Sequence, residues 1–116
     1  MLVFVYGTLK RGKSNHAFLD GQKFAGLAVT RAVYRMYDAG GYPGLVYDVE
    51  NGCPIRGEVW DVDEACLERL DVLENVAGGD YQREKIALEP PFDGLDVQGY
   101  RWLLRLTGLR DAGQSW

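Results

Sequence analysis

The chain has 116 residues, with 13 Lys/Arg against 17 Asp/Glu, one His, two Cys and 15 Gly, for a net charge of −4 and a pI near 4.9. That length predicts a single domain over residues 1–116, and a domain of this size buries roughly two-thirds of its unfolded surface without help from a disulfide or a metal. With His16, Cys53 and Cys66 as the only soft ligands, the composition excludes a zinc site, leaves His16 alone to build any nucleophilic triad, and suits a reducing cytoplasm better than a disulfide scaffold.

The first residues, Met1-Leu2-Val3-Phe4-Val5, lack the basic region and cleavage site of a signal peptide. They read instead as the start of a strand over Leu2–Tyr6. A short helix is expected from Ser14 or Asn15 to Leu19, stopped by Gly21. Further strands are predicted at Gly26–Thr30, Ala32–Tyr37, Leu45–Val49, Ile55–Val62, Tyr81–Leu88 and Val97–Leu106, all rich in Val, Ile, Tyr or Trp. Asn51-Gly52 reads as a tight hairpin between two of them, because both residues tolerate positive φ. Pro90-Pro91 and Asp93-Gly94 mark a second reversal. One longer helix is expected, capped by Asp61 or Asp63 and running from Glu64 to Glu74 without Gly or Pro. Seven short strands with tight turns and little helix favour a closed or nearly closed antiparallel sheet. No apolar run is long enough to span a bilayer, so no membrane partner is expected.

Charge is unevenly spread. Residues 1–35 hold six basic groups and one acid, whereas residues 36–100 hold four basic groups and fifteen acids. A basic N-terminal patch on an acidic body suits a small anionic molecule, and the net acidity argues against a nucleic-acid partner.

With one imidazole available, a carboxylate is the expected agent of any acid–base chemistry. On the helix, Cys66, Leu67, Leu70 and Leu73 form an apolar face at about 100° per residue, and Glu74 falls within it. A carboxyl on a buried stripe is costly to ionise, which raises its pKa toward the range useful for proton transfer near neutrality. The alternative at that position is a side chain turned to solvent or paired with Arg83.

Gly7-Thr8-Leu9-Lys10-Arg11-Gly12-Lys13-Ser14 matches the spacing of a nucleotide phosphate loop, but that loop must open onto a full crossover helix, and only about two turns fit before Gly21. More generally, a strand ending in Tyr6-Gly7-Thr8-Leu9 leaves backbone N–H groups free for a carboxylate or a developing oxyanion.

Five separated blocks carry a resemblance: Val3-Phe4-Val5-Tyr6-Gly7-Thr8-Leu9, Asn15-His16, Tyr42-Pro43, Gly57-Glu58-Val59-Trp60, and Leu70-Asp71-Val72-Leu73-Glu74 followed by Tyr81-Gln82-Arg83. In this order they resemble the gamma-glutamylcyclotransferase-like family, in particular its small members similar to gamma-glutamylamine cyclotransferase. Asn75 stands where that family commonly has Gly, and Ala77-Gly78-Gly79-Asp80 forms a loose, mobile approach to Tyr81. The resemblance implies an α+β fold, a small, mixed, barrel-like sheet of mostly antiparallel strands with one or two packed helices, and closure of a γ-glutamyl group to 5-oxoproline with expulsion of an amine, without a cofactor or metal. It implies Glu74 as the catalytic proton shuttle. Tyr6, Gly7, Thr8 and Leu9 would form the substrate-binding loop, with Tyr81 and Arg83 as further substrate-binding residues. His16 is expected to organise the loop, Glu58 is a secondary candidate that alternates toward solvent, and both cysteines read as structural. A non-catalytic barrel that binds a small carboxylate or a protein remains a second reading, and the nucleotide loop a third. The leaving amine and the oligomeric state are open.

Overall fold

The structure, a computed structural model, describes residues 1–116. Eight strands, β1 (Leu2–Val5), β2 (Lys23–Val29), β3 (Tyr34–Asp38), β4 (Pro43–Tyr47), β5 (Arg56–Asp61), β6 (Tyr81–Lys85), β7 (Val97–Trp102) and β8 (Arg110–Asp111), form one curled sheet around a single α-helix, α1 (Glu64–Leu73). Its order is β2-β5-β1-β7-β4-β3-β8, with β6 on the other side of β7. Beyond the named strands, Thr30 bridges Leu88, so the continuations of β2 and β6 meet and the sheet closes partway into a half-barrel. The expected α+β, mixed and barrel-like architecture is what the chain adopts.

Period-2 alternation sorts the first strand between two cores. Val3 and Val5 join the cluster between sheet and helix with Leu70, Cys66 and Tyr100, whereas Phe4 and Tyr6 enter the cluster inside the curl with Tyr34, Met36 and Val59. Gly57 and Gly99 flank Phe4 because a Cβ on either would collide with a neighbouring side chain: 2.7 Å from the Phe4 ring for Gly57, and 2.7 Å from Ile86 for Gly99.

Two sequence expectations are corrected here. Asn51-Gly52 does not join a hairpin: β4 pairs with β3 and β7, while β5 pairs with β1 and β2. Neither residue has positive φ. Asp48 instead accepts from the Asn51 amide at 2.9 Å, and a Cβ on Gly52 would press 2.7 Å from the Val33 backbone, so the segment is a packed crossover between sheet regions. The residues from Ser14 also form less helix than expected, a single 3-10 turn over His16–Leu19. A β-bulge between Phe24 and Gly26 lets β2 begin three residues earlier than predicted, and Arg110–Asp111 adds a two-residue strand too short to show periodicity. The reversal at Pro90–Gly94 lies, as expected, between the antiparallel partners β6 and β7.

The sheet splits at the place that matters for function. Strands β1 and β4 both run parallel to β7 on the same side, β1 pairing at Val97 and Gln98 and β4 only at Arg101. Where β1 ends, the Tyr6 side chain spans the gap: its hydroxyl donates to the Tyr100 carbonyl at 2.6 Å and accepts from the Leu45 amide at 3.2 Å. The phenol thus satisfies buried backbone groups that the diverging strands cannot pair.

Candidate active site

Glu74 reaches the cleft through the way α1 begins and ends. Asp63 caps the start, its carboxylate accepting from the Cys66 amide at 2.7 Å. At the other end Glu74 is the C-cap, one residue beyond the last helical turn. The next two amides fold back, Asn75 to the Val72 carbonyl at 3.0 Å and Val76 to the Asp71 carbonyl at 3.1 Å, with Asn75 left-handed at φ 50. This is the Schellman arrangement, which needs a residue able to adopt αL after the cap, and Asn is the best non-glycine choice. The 75–80 turn is tied by further bonds, Gly79 to Val76 and Asp80 to Asn75.

The Glu74 side chain is half-buried, and desolvation raises its carboxyl from 4.5 to about 7, with no hydrogen bond or ion pair acting on it. The negative end of the helix dipole acts in the same direction. Arg83, the alternative partner considered from sequence, is engaged elsewhere: its Nε donates to Asp71 at 2.9 Å and its Nη1 to Gln98.

Glu74 lies in a cleft at the sheet split. An inner recess of about 30 Å³ is bounded by Phe4, Val5, Tyr6, Gly7, Thr8, Leu9, Tyr42, Pro43, Glu74, Tyr81 and Tyr100. It opens to an outer cleft of about 230 Å³ that shares Thr8, Tyr42, Glu74 and Tyr81 and adds Asn15, Leu73 and Asp80. Of the residues singled out from sequence, the structure brings Tyr6, Gly7, Thr8, Leu9, Glu74 and Tyr81 together here. Arg83 stands apart, behind Asp71. Sequence reasoning missed Tyr42, Pro43, Asn15 and Tyr100 as lining residues. Tyr42-Pro43 and Asn15 already stood in the blocks that carry the family resemblance, but nothing local marks Tyr100, which arrives from β7.

The amides of Gly7, Thr8 and Leu9 donate to no group of the protein. The loop that carries them is held by the residues that follow it. Asn15 donates from its side chain to Thr8 Oγ1 at 3.0 Å and from its amide to the Thr8 carbonyl at 2.8 Å, and the His16 ring meets the Leu9 carbonyl at 3.0 Å through Nδ1 while packing on Trp60. His16 therefore organises the loop, as expected. Glu58 does not face solvent: it is 6% exposed and accepts from the Arg11 amide at 3.1 Å, Arg11 Nε at 3.2 Å and Trp60 Nε1 at 3.1 Å. Burial opposes its ionisation, yet those donors hold its carboxyl below the usual range. Inward alternation on β5 was the missed signal. Gly7 owes its identity to packing, since a Cβ there would lie 2.7 Å from Pro43 Cδ and closer still to Cγ. Lys10, within the phosphate-loop pattern, donates to the Trp116 carbonyl at 2.9 Å, and the loop runs into the 3-10 turn rather than an α-helix. No helix of the structure is long and apolar enough to cross a membrane.

Comparison with known proteins matches residues 3–116 to the family described as Gamma-glutamyl cyclotransferase, AIG2-like. A Vibrio cholerae protein provisionally named a gamma-glutamylcyclotransferase is 44% identical over 112 residues, covering 97% of this chain and 92% of its own. Among solved structures, a protein specific to uropathogenic E. coli superposes with TM-score 0.83 at 29% identity, over 99% of this chain and 91% of its own. An AIG2-like protein from Mus musculus superposes with TM-score 0.73 at 34% identity, over 86% and 75% of the two chains.

Proposed function

The chain belongs to the AIG2-like gamma-glutamyl cyclotransferase family, and from that premise we propose that it releases 5-oxoproline from a γ-glutamyl amine or γ-glutamyl peptide, with Glu74 as the proton shuttle. The observation that carries this reading is the pairing, in one cleft, of a desolvated carboxyl near pKa 7 with a run of unengaged backbone donors.

Ring closure is intramolecular, so the protein must fold the substrate and pass protons from its α-nitrogen to the leaving nitrogen. The Glu74 carboxylate takes a proton from the substrate's α-ammonium. The free amine attacks the γ-carbonyl carbon, forming the new ring C–N bond, while the amides of Gly7, Thr8 or Leu9 receive the developing oxyanion or the substrate carboxylate. The scissile amide C–N bond then breaks as the proton held by Glu74 passes to the leaving nitrogen, and the Glu74 carboxylate next relays the second proton of the ring nitrogen, so that 5-oxoproline keeps one N–H and the amine departs as its ammonium. The products are 5-oxoproline and an amine, and neither water nor an oxidant is consumed. A carboxyl near pKa 7 can both accept and return that proton at neutral pH. Tyr6 and Tyr81 line the pocket without donating to substrate, since their hydroxyl protons are committed to the protein. Arg83 acts through Asp71 rather than on substrate.

Release of 5-oxoproline across a panel of γ-glutamyl amines and dipeptides tests the reading, with Glu74→Gln as control. Turnover by the wild type and its loss in the variant are expected. Binding without product across the whole panel would favour a non-catalytic carboxylate-binding barrel.

A further inference from the structure

Four phenols line the inner recess. Those of Tyr6, Tyr81 and Tyr100 each give the hydroxyl proton to an acceptor of the protein, while that of the exposed Tyr42 is unpaired. Tyr6 donates to the Tyr100 carbonyl at 2.6 Å, Tyr81 to the Pro43 carbonyl at 2.6 Å, and Tyr100 to Asp71 Oδ1 at 2.7 Å. A carbonyl has no proton to give, so the direction of the first two bonds is forced. Asp71 accepts from the Arg83 guanidinium through Nε at 2.9 Å and Nη2 at 3.3 Å, and its Oδ1 is the acceptor of the third. The Tyr6 oxygen is further engaged by the Leu45 amide, whereas the oxygens of Tyr81 and Tyr100 have lone pairs to spare.

The recess is polar on both walls. The loop wall carries the unengaged amides of Gly7, Thr8 and Leu9, and on the opposite wall the oxygens of Tyr81 and Tyr100 are available as acceptors beside the unpaired Tyr42 hydroxyl. Glu74 lies on that opposite wall, and its charge contributes to raising the phenols of Tyr6, Tyr81 and Tyr100, after the larger effect of their burial. A ligand suited to both walls presents acceptors on one side and N–H donors on the other, as an ammonium beside a carbonyl or carboxylate does.

We propose that the hydroxyl oxygens of Tyr100 and Tyr81 are an ammonium-recognition site, accepting hydrogen bonds from the α-ammonium of the γ-glutamyl group and presenting it to Glu74. The inference rests on the glutamyl reading of the cleft and assigns Asp71 and Arg83 a positioning role. By claiming the Tyr100 proton, they keep its oxygen an acceptor. A tyrosine free to rotate would offer either sense and hold the ammonium less selectively.

Two ligands that differ only in that group, L-glutamate and glutarate, test it by calorimetric titration near pH 7. The wild type is expected to hold L-glutamate about tenfold tighter, the scale of a hydrogen bond to a charged group. Tyr100→Phe removes the acceptor while leaving Asp71 on Arg83, and should reduce the preference several-fold with glutarate affinity unchanged. Tyr81→Phe should act likewise from the other side, and unchanged glutarate affinity reports an intact cleft in either variant. Equal or absent binding of the two ligands by the wild type overturns the inference, as does a glutamate preference that survives both substitutions. The cyclotransferase reading fails differently, by an absence of 5-oxoproline while the glutamate preference persists.

Discussion

Asp71 and Glu74 stand three residues apart at the C-terminal end of α1, yet their carboxylates have opposite surroundings. Asp71 receives hydrogen bonds from Arg83 and from the Tyr100 hydroxyl, while Glu74 receives none and is desolvated. The paired acid is structural in character and the unpaired one is available for chemistry.

The pH dependence of activity follows from that contrast. With its carboxyl raised to about 7, Glu74 is the proton-accepting carboxylate only above that pH. The limiting kcat/KM for a γ-glutamyl amine should rise with unit slope through about pH 7 and then level off. A rise centred near pH 4.5, the ordinary carboxyl value, would show that Glu74 titrates as a solvated group.

The same group makes the fold less stable in alkali. Its folded pKa exceeds its unfolded one, so between about pH 4.5 and 7 the native state binds more protons, and unfolding free energy falls as pH rises. Glu74→Gln removes that liability. The variant should match the wild type below pH 4 and exceed its stability at pH 8 by about 2–3 kcal/mol, while losing turnover. Urea unfolding at the two pH values checks this.

Gly7→Ala should destabilise the protein by about 1–3 kcal/mol, because the new methyl overlaps the Pro43 ring. Pro43→Ala removes the colliding atoms, so the double variant should recover part of the loss. A double-mutant cycle reads the coupling directly, and strictly additive effects would mean that the collision is relieved elsewhere.

Glu58→Ala should cost about 2–3 kcal/mol, since it strands the Arg11 amide and guanidinium and the Trp60 indole N–H, donors that Glu58 now satisfies. The loop bearing the free amides would lose its outer support, so KM is expected to rise more than kcat falls. Glu58→Gln keeps an acceptor oxygen and should be milder on both counts. An equal effect of the two variants would mean that side-chain volume rather than hydrogen bonding matters.

Tyr6→Phe tests the bridge across the sheet split. It leaves the buried Leu45 amide and Tyr100 carbonyl without their partner, a cost of about 1–3 kcal/mol, while the ring still fills the recess. Denaturant midpoint should fall more than KM changes. A large KM effect with unchanged stability would assign the hydroxyl to substrate instead.

Much of this was legible along the chain because it depends on neighbours in sequence. Strand alternation, the Asp63 cap and the apolar stripe of α1 follow from local periodicity and capping chemistry, although the helix ends at Leu73 and Glu74, expected within the stripe, is its C-cap. The family blocks likewise placed Tyr6, Gly7, Thr8 and Leu9 on one loop. What tertiary structure alone decided depends on pairings between distant segments. Register across the sheet turned Glu58 inward, placed Arg83 on Asp71 instead of Glu74, and brought Tyr100 to the recess from β7. The crossover at Asn51-Gly52 belongs with these, because its residues permit a hairpin but the hydrogen-bonding edges available to β4 and β5 lie elsewhere. Having one histidine, the chain made a carboxylate the expected agent of any acid–base chemistry, and pattern pointed to Glu74 among its 17 acids. Only the fold decided that Glu74 is desolvated and unpaired, because a carboxyl's protonation is set by the water it loses and the partners it lacks.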